Sequence, residues 1–311
     1  MTIGLYSVGG VALDWCLGET PRWHPLVGFG RLAALLERRL NRGSRAIGLC
    51  AWALAVLPPV ALAIWIGLWL GRQSLWLGAA WQVLLLYFCL GLRSLRDHVL
   101  PIAQALKSGD IVAARALTAR IVSRDTSALE ETDLAKAAVE SVLENGNDAV
   151  FGTLFWFVVA GGAGALLFRL SNTLDAMWGY RTPRLLAFGC AAARIDDALN
   201  WLPARLTAFS YALLGNRRLA LACWREQAPA WSSPNAGPVM ASGAGALGLA
   251  LGGPAIYHGE LEQRPPLGQG RSPMADDIAR AWQLVARTTR LLLCLLLLLS
   301  ALVMLAGAVH A

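Results

Sequence analysis

Apolar residues along this chain gather in runs long enough to cross a bilayer as helices, which takes about 20 residues. Gly48–Leu70, Ser74–Leu92 and Thr288–Val309 reach or approach that length, and "LLLCLLLLLSALVMLAGAV" near the end is the clearest case. Pro58 and Pro59 inside the first run predict a kink, a defect tolerated in membranes where neighbours cover the freed carbonyls. A fourth run, Phe151–Phe168, is long enough but contains "GGAG". Two further candidates are Ala198–Leu214, interrupted by Pro203 and Arg205, and the small-residue run Pro238–Gly253. Residues 93–148 place apolar positions at helical spacing, and Gly109-Asp110 marks a turn between two helices.

Basic residues orient this pattern. Arg22, Arg31, Arg38, Arg39, Arg42 and Arg45 precede the first run, and only Arg72 lies in the turn before the second. Arg93, Arg96, Lys107, Arg115, Arg120, Arg124 and Lys136 follow it. The positive-inside rule makes the pair a hairpin with both ends in the cytoplasm. Residues 169–287 are again rich in Arg. Phe151–Phe168 is therefore either re-entrant or paired with a returning helix such as Ala198–Leu214.

Composition supports the membrane reading. Of 311 residues, 56% are hydrophobic and 15% charged, against about 25% charged in soluble domains. Thirteen Trp suit membrane interfaces. The net charge of +7 comes without a Lys/Arg block or aromatic-basic repeat, so nucleic acid is not expected as a partner. Six scattered Cys lack a CxxC pair, which favours buried thiols over disulfides or zinc ligands. Asp14 comes too early in the N-terminal stretch for a signal peptide. The expected fold is an all-α, polytopic integral membrane protein forming one domain over residues 1–311. It divides into a transmembrane hairpin (48–92), a cytoplasmic helical segment (93–148), a motif-rich catalytic region facing the cytoplasm (149–287) and a C-terminal transmembrane helix (288–309).

Polar residues concentrate where the apolar pattern makes them costly. Lys136, Glu140, Glu144 and Asp148 lie four apart, a stripe on one helix face. Lys136–Glu140 reads as a surface ion pair. The carboxylates that follow repel one another unless a cation sits between them. With Asn145 and Asn147 interleaved and no His or Cys, oxygen ligands of this kind suit Mg²⁺. "RLSNTLDAMWGYRTP" sets Asn172 three residues before Asp175, and "AARIDDALNWLPARLTA" sets Asp196 and Asp197 beside Asn200, flanked by Arg194 and Arg205. Ionisable groups at membrane depth default to a functional role, with an interhelical Arg–Asp lock as the plainer alternative. "RIVSRDTSALEE" predicts a helix cap at Thr126 or Ser127, with Arg124 placed to hold a phosphate at the helix start. "SPNAGP" breaks regular helix, and the glycines after it allow either tight helix packing or close approach to a ligand. His24, before Pro25, starts an amphipathic helix. No Walker A loop is present.

Six segments in order, "LDWCLGETPRWHPLVGFGRL", "SRDTSALEETDLAKAAVESVLENGNDAVFGTLFW", "RLSNTLDAMWGYR", "FGCAAARIDDALNWLPARLTA", "SPNAGPVMASGAGALGLALGGPAIYHG" and "RPPLG", resemble the adenosylcobinamide-phosphate synthase family of cobalamin biosynthesis, the CbiB/CobD family. Glu19 and Thr153 or Gly162 stand where family members usually have Asp and Pro. The resemblance implies an ATP- and Mg²⁺-dependent ligase in the inner membrane. It would join adenosylcobyric acid, through its free propionate, to (R)-1-amino-2-propanol O-phosphate or the bare amino alcohol. Other membrane enzymes of the pathway are expected neighbours in the bilayer. Under this reading Glu140, Glu144, Asp148 and Asp175 hold metal, and Glu144, Asp148, Asp196 and Asp197 are catalytic. Arg124, Asp125, Lys136, Asn145, Asn172, Arg181, Arg194, Asn200, Arg205 and Asn235 bind phosphate or substrate. A membrane sensor, and a transporter of a corrinoid or phosphorylated solute, are the competing readings.

Overall fold

The computed structural model describes residues 2–19, 24–257 and 259–309. Arg22, counted above among the basic residues, and His258 of the fifth segment lie outside the described residues. The helices are α1 (Thr2–Leu17), α2 (Pro25–Leu40), α3 (Arg45–Gln73), α4 (Leu75–Cys89), α5 (Leu92–Lys107), α6 (Ile111–Thr118), α7 (Glu131–Asn145), α8 (Gly152–Trp178), α9 (Cys190–Leu214), α10 (Arg217–Gln227), α11 (Ala236–Leu247) and α12 (Ala275–Val309). A π-helical turn, Gly146–Phe151, joins α7 to α8. Two small antiparallel pairs complete the chain: β1 (Leu251–Gly252) with β4 (Pro266–Leu267), and β2 (Ala255–Tyr257) with β3 (Glu260–Glu262). Four helical stretches are long and apolar enough to cross a membrane: Arg45–Gln73, Leu75–Lys107, Glu131–Trp178 and Ala275–Ala306. The protein is thus a helical, polytopic membrane protein.

The chain gathers into two compact units. The first comprises Met1–Leu92, Asp148–Asn200 and Leu293–Ala311. In it α4 packs on α1, α3 and α8. Ala51, Ala55 and Val56 of α3 meet Leu170, Leu174 and Trp178 of α8 in a buried core, with Phe188 against Trp178. Leu54, Leu62, Trp65 and Trp69 of α3 stay exposed, a face suited to lipid. Pro58 and Pro59 sit inside an unbroken α3. Pro203 leaves the Leu199 carbonyl of α9 without its helical donor, and Trp156 Nε1 donates to that oxygen at 2.9 Å. His24 caps α2, its Nδ1 accepting from Leu26 N–H at 3.3 Å.

The "GGAG" run folds α8 back on itself. Ala160 and Gly161 leave helical geometry, Gly161 at φ 63°, ψ −158°. The Gln82 side chain accepts the freed Gly162 N–H at 2.6 Å. A Cβ on Gly152 would collide with the Phe168 ring, and one on Gly164 with the Trp156 carbonyl. A straight helix would hold residues 152 and 168 about 24 Å apart. Phe151–Phe168 is therefore a helical hairpin and not one straight helix.

The second unit comprises Arg93–Asn147 and Trp201–Leu292. Here α11 packs on α10 and α7 and is buried along its length, from Ala236 to Ala246. Gly245 sits against the α10 backbone, where a Cβ would come within 2.8 Å of Ala220 Cα, and Gly243 against the Leu143 side chain, so these two serve tight packing. Gly248 ends α11 in the left-handed region, φ 68°, ψ 41°. The run Pro238–Gly253 is consequently a 12-residue helix followed by a strand, too short to span. The C-terminal helix begins at Ala275 rather than 288, because its first turns are amphipathic and tethered. Buried Asp277 accepts from Arg271 at 2.6 and 2.8 Å and from Arg280 at 2.6 Å. All six cysteines are free, and of them Cys89 and Cys223 are buried.

Candidate functional site

In the second unit, α7 carries Glu140 and Glu144 one turn apart along a cleft of about 580 Å³. Its other walls come from the 121–124 loop, Ala230–Ser233, and the strand region from Tyr257 to Pro265. Glu140 is buried, its side chain 4% exposed, and both its oxygens are occupied. Oε2 accepts from Arg124 Nη2, and from Arg264 Nη1 at 3.0 Å. Oε1 accepts from Gly252 N–H at 2.8 Å and Arg264 Nη2 at 3.3 Å. A charge this deep is stable because two guanidiniums and an amide face it. This geometry gives Glu140 to the arginines, leaving Glu144 as the carboxylate of the stripe on the cleft wall. Asn145, beside it on the cleft wall, donates through Nδ2 to Ser141 O and Oγ, which leaves its carbonyl oxygen out of those two bonds.

Arg264 lies in "RPPLG" and was not picked from sequence as a site residue. The signal available was an Arg ahead of two prolines in a chain segment rigid enough to hold it. It also donates to Gly253 O at 3.0 Å and the Tyr257 hydroxyl at 3.4 Å, with its guanidinium 5.5 Å from the centre of the Trp231 ring. Arg205 bonds Asn235 Oδ1 at 2.8 Å and Pro234 O at 3.0 Å, and stacks on Trp201 at 4.5 Å. That contact pins "SPNAGP" to α9. Lys136 pairs with Asp133 at 3.5 Å, not with Glu140. Asp125 is exposed and accepts from Ser127 N–H at 2.8 Å. The expected cap at Thr126 or Ser127 gives way to a start at Glu131, because Thr126 Oγ1 donates to Arg115 O instead.

A second constellation lies in the first unit. Asp148 from the π-turn, Asp175 from α8 and Asp196 from α9 act on one another electrostatically. Asn200 Nδ2 donates to Asp148 Oδ1 at 2.9 Å, and Asn172 Nδ2 to Asp196 Oδ1 at 3.3 Å. Asp196 is 7% exposed. Burial, then the charges of Asp148 and Asp175, push its carboxyl well above the usual carboxylate range. Burial also raises Asp197, and Arg194 and Arg181 partly restore it. The Nε of Arg169 on α8 is buried without a hydrogen-bond partner, and its charge acts with Asp148, a neighbour the sequence reading overlooked.

The candidate residues therefore fall into two sets, Arg124, Glu140, Glu144 and Asn145 in one unit, and Asp148, Asn172, Asp175, Asp196, Asp197 and Asn200 in the other. No group of three His, Cys, Asp or Glu side chains with metal-site spacing occurs among the described residues. Mg²⁺ commonly takes only one or two carboxylates plus substrate phosphates. Glu144 and the Asn145 carbonyl oxygen fit that demand, being hard oxygen donors on a cleft wall.

A cobalamin biosynthesis protein CobD of Stutzerimonas stutzeri is 60% identical over 291 residues, covering 92% of this chain and 94% of that protein. Another, from Chromobacterium violaceum, is 52% identical over the whole of both chains, and one from Yersinia enterocolitica 37% identical over 95% of this chain and 96% of its own. No solved structure matches. Residues 7–285 match the CobD/CbiB protein family, and the chain belongs to that family of cobalamin biosynthesis.

Proposed function

We propose that the protein is an adenosylcobinamide-phosphate synthase, an ATP-dependent amide ligase. Family membership supports the pathway. The observation that carries the reaction type is Arg124, whose buried guanidinium lines a polar cleft with Nε and Nη1 unbonded among the described residues. Such donors suit a phosphoryl group. Arg124 would hold the γ-phosphoryl of ATP, and Glu144 and Asn145 would be the residues that hold Mg²⁺. When bound, Mg²⁺ neutralises charge on the transferring group.

The free propionate of adenosylcobyrate attacks the γ-phosphorus, giving an acyl phosphate and ADP. The amine of aminopropanol, phosphorylated or bare, then attacks the acyl carbon and expels phosphate. An ammonium must lose its proton first, and a carboxyl raised above the usual range accepts a proton more readily than an ordinary carboxylate. Within the first unit Asp196 is suited to serve as such a base, with Asp148, Asp175 and Asp197 as acidic neighbours that attract an ammonium. There Asn172 and Asn200 offer amide hydrogen bonds and Arg181 and Arg194 positive charge, and in the second unit Asn235 and Arg205 offer the same. Asp125, exposed on the loop before α7, and Lys136, on α7 beside Asp133, add charge near the phosphates.

The site faces the cytoplasm of the inner membrane. Basic residues flank the α3–α4 hairpin on one side, and a re-entrant α8 returns the basic segment after 169 to the side it left. Purified Glu144→Gln and Asp197→Asn variants should lose ATP-dependent amide formation by at least about tenfold, the size of one charge-assisted contact. Wild-type turnover in both would remove these carboxylates from the mechanism.

A further inference from the structure

We infer that Arg264 is a positioning residue for a phosphoryl-anion clamp whose ligand-facing member is Arg124, and that Glu140 is the link between them. This inference deepens the ligase reading and rests on it for the identity of the ligand as a nucleotide phosphate.

The two guanidiniums differ in how many donors they have left. An arginine has five N–H donors. Arg264 spends one on Gly253 O, two from Nη1 on Glu140 and Tyr257, and one from Nη2 on Glu140. Arg124 spends one, on Glu140, and its side chain is only 7% exposed. The remaining donors of Arg124 open to the cleft, where an anion can accept from them. Arg264 is nearly saturated, so it cannot be the principal anion ligand.

Glu140 transmits the position of Arg264 to Arg124. Arg264 bridges both carboxylate oxygens, and Gly252 N–H adds a third fixed donor. That fork sets the carboxylate plane. Oε2, held in place, anchors Arg124 at Nη2, and Arg124 lines the cleft. Arg124 and Arg264 against Glu140 leave this trio a net charge of +1, beside Glu144 and Glu262 on the same cleft wall. Tyr257 and Gly253 tie the same device to the loop around β2.

The test is pyrophosphate binding to the full chain in detergent or nanodiscs, measured by calorimetry. The wild-type chain should bind pyrophosphate, and Arg124→Gln should weaken binding at least tenfold, about one charge-assisted hydrogen bond. Arg264→Gln should weaken it roughly tenfold in the wild-type background, but by less than about threefold in a Glu140→Gln background, because its effect passes through Glu140. Arg264→Lys keeps the charge and protects the fold, yet cannot bridge both oxygens. It should also weaken binding about tenfold. Equal losses in both backgrounds, wild-type affinity in Arg264→Lys, or no pyrophosphate binding by the wild-type chain would each overturn the clamp. Pyrophosphate binding without amide product keeps the clamp and removes the ligase reading. Amide formation without pyrophosphate binding removes the clamp alone.

Discussion

Gly152 lies against the ring of Phe168 within one nominal helix, α8, at a distance a straight helix could not bridge. The break at Ala160–Gly161 makes this possible, and it predicts how the rest of the chain crosses the bilayer. A hairpin enters and leaves on one face. A straight α8 would carry the basic segment after 169 to the opposite face, against the positive-inside rule.

Labelling from one side of the membrane checks this. In a cysteine-free background, single cysteines at 148 and 180 should react with an impermeant maleimide from the same side. Labelling from opposite sides would establish a straight span.

The hairpin also depends on one backbone conformation. Gly161 occupies φ 63°, ψ −158°, a region essentially closed to other residues, and a Cβ there would come within 2.8 Å of Gln82 Oε1. Gly161→Ala should lower stability by about 1–3 kcal/mol in thermal or denaturant unfolding of the solubilised chain. Gly71→Ala, where a Cβ would meet nothing within 4 Å, is the matched control and should be neutral or slightly stabilising. Equal effects at both positions would contradict the role of the break.

Asp196 gives a pH dependence with a defined sign. Its carboxyl is raised by burial and by Asp148 and Asp175, so the folded state holds the proton more tightly than the unfolded chain. The stabilisation is full below the unfolded value of about 4 and is lost as pH rises through the raised folded value. Catalysis runs the other way, since the base must be deprotonated. The acid limb of kcat/KM should lie above the ordinary carboxylate range. Asp196→Asn should flatten both the stability slope and that limb. An unchanged acid limb in the variant would assign the titration to another group.

Much of this organisation was legible in the sequence because membrane burial leaves a plain compositional trace. The runs behind α3, α4 and the second half of α12 are apolar all round. The Gly109-Asp110 turn carries its own chemistry, and Asp110 Oδ1 caps α6 through Ala113 N–H at 2.9 Å. The first half of α12 was hidden because Asp276, Asp277 and Arg280 interrupt the apolar run while anchoring the helix. The acidic stripe on α7 was visible, but its division was not. Glu140 was drawn away by Arg264, a residue 124 positions further on, and long-range partners leave no mark in local spacing.

Retention of a carboxylate oxygen through the reaction tests the central claim most directly. Adenosylcobyrate labelled with oxygen-18 in its free carboxylate, incubated with ATP, Mg²⁺, the amino alcohol phosphate and purified protein, should give the amide product, and one labelled oxygen should appear in the released inorganic phosphate. Amide product with unlabelled phosphate would contradict the acyl-phosphate route, and no ATP-dependent amide at all would contradict the ligase assignment.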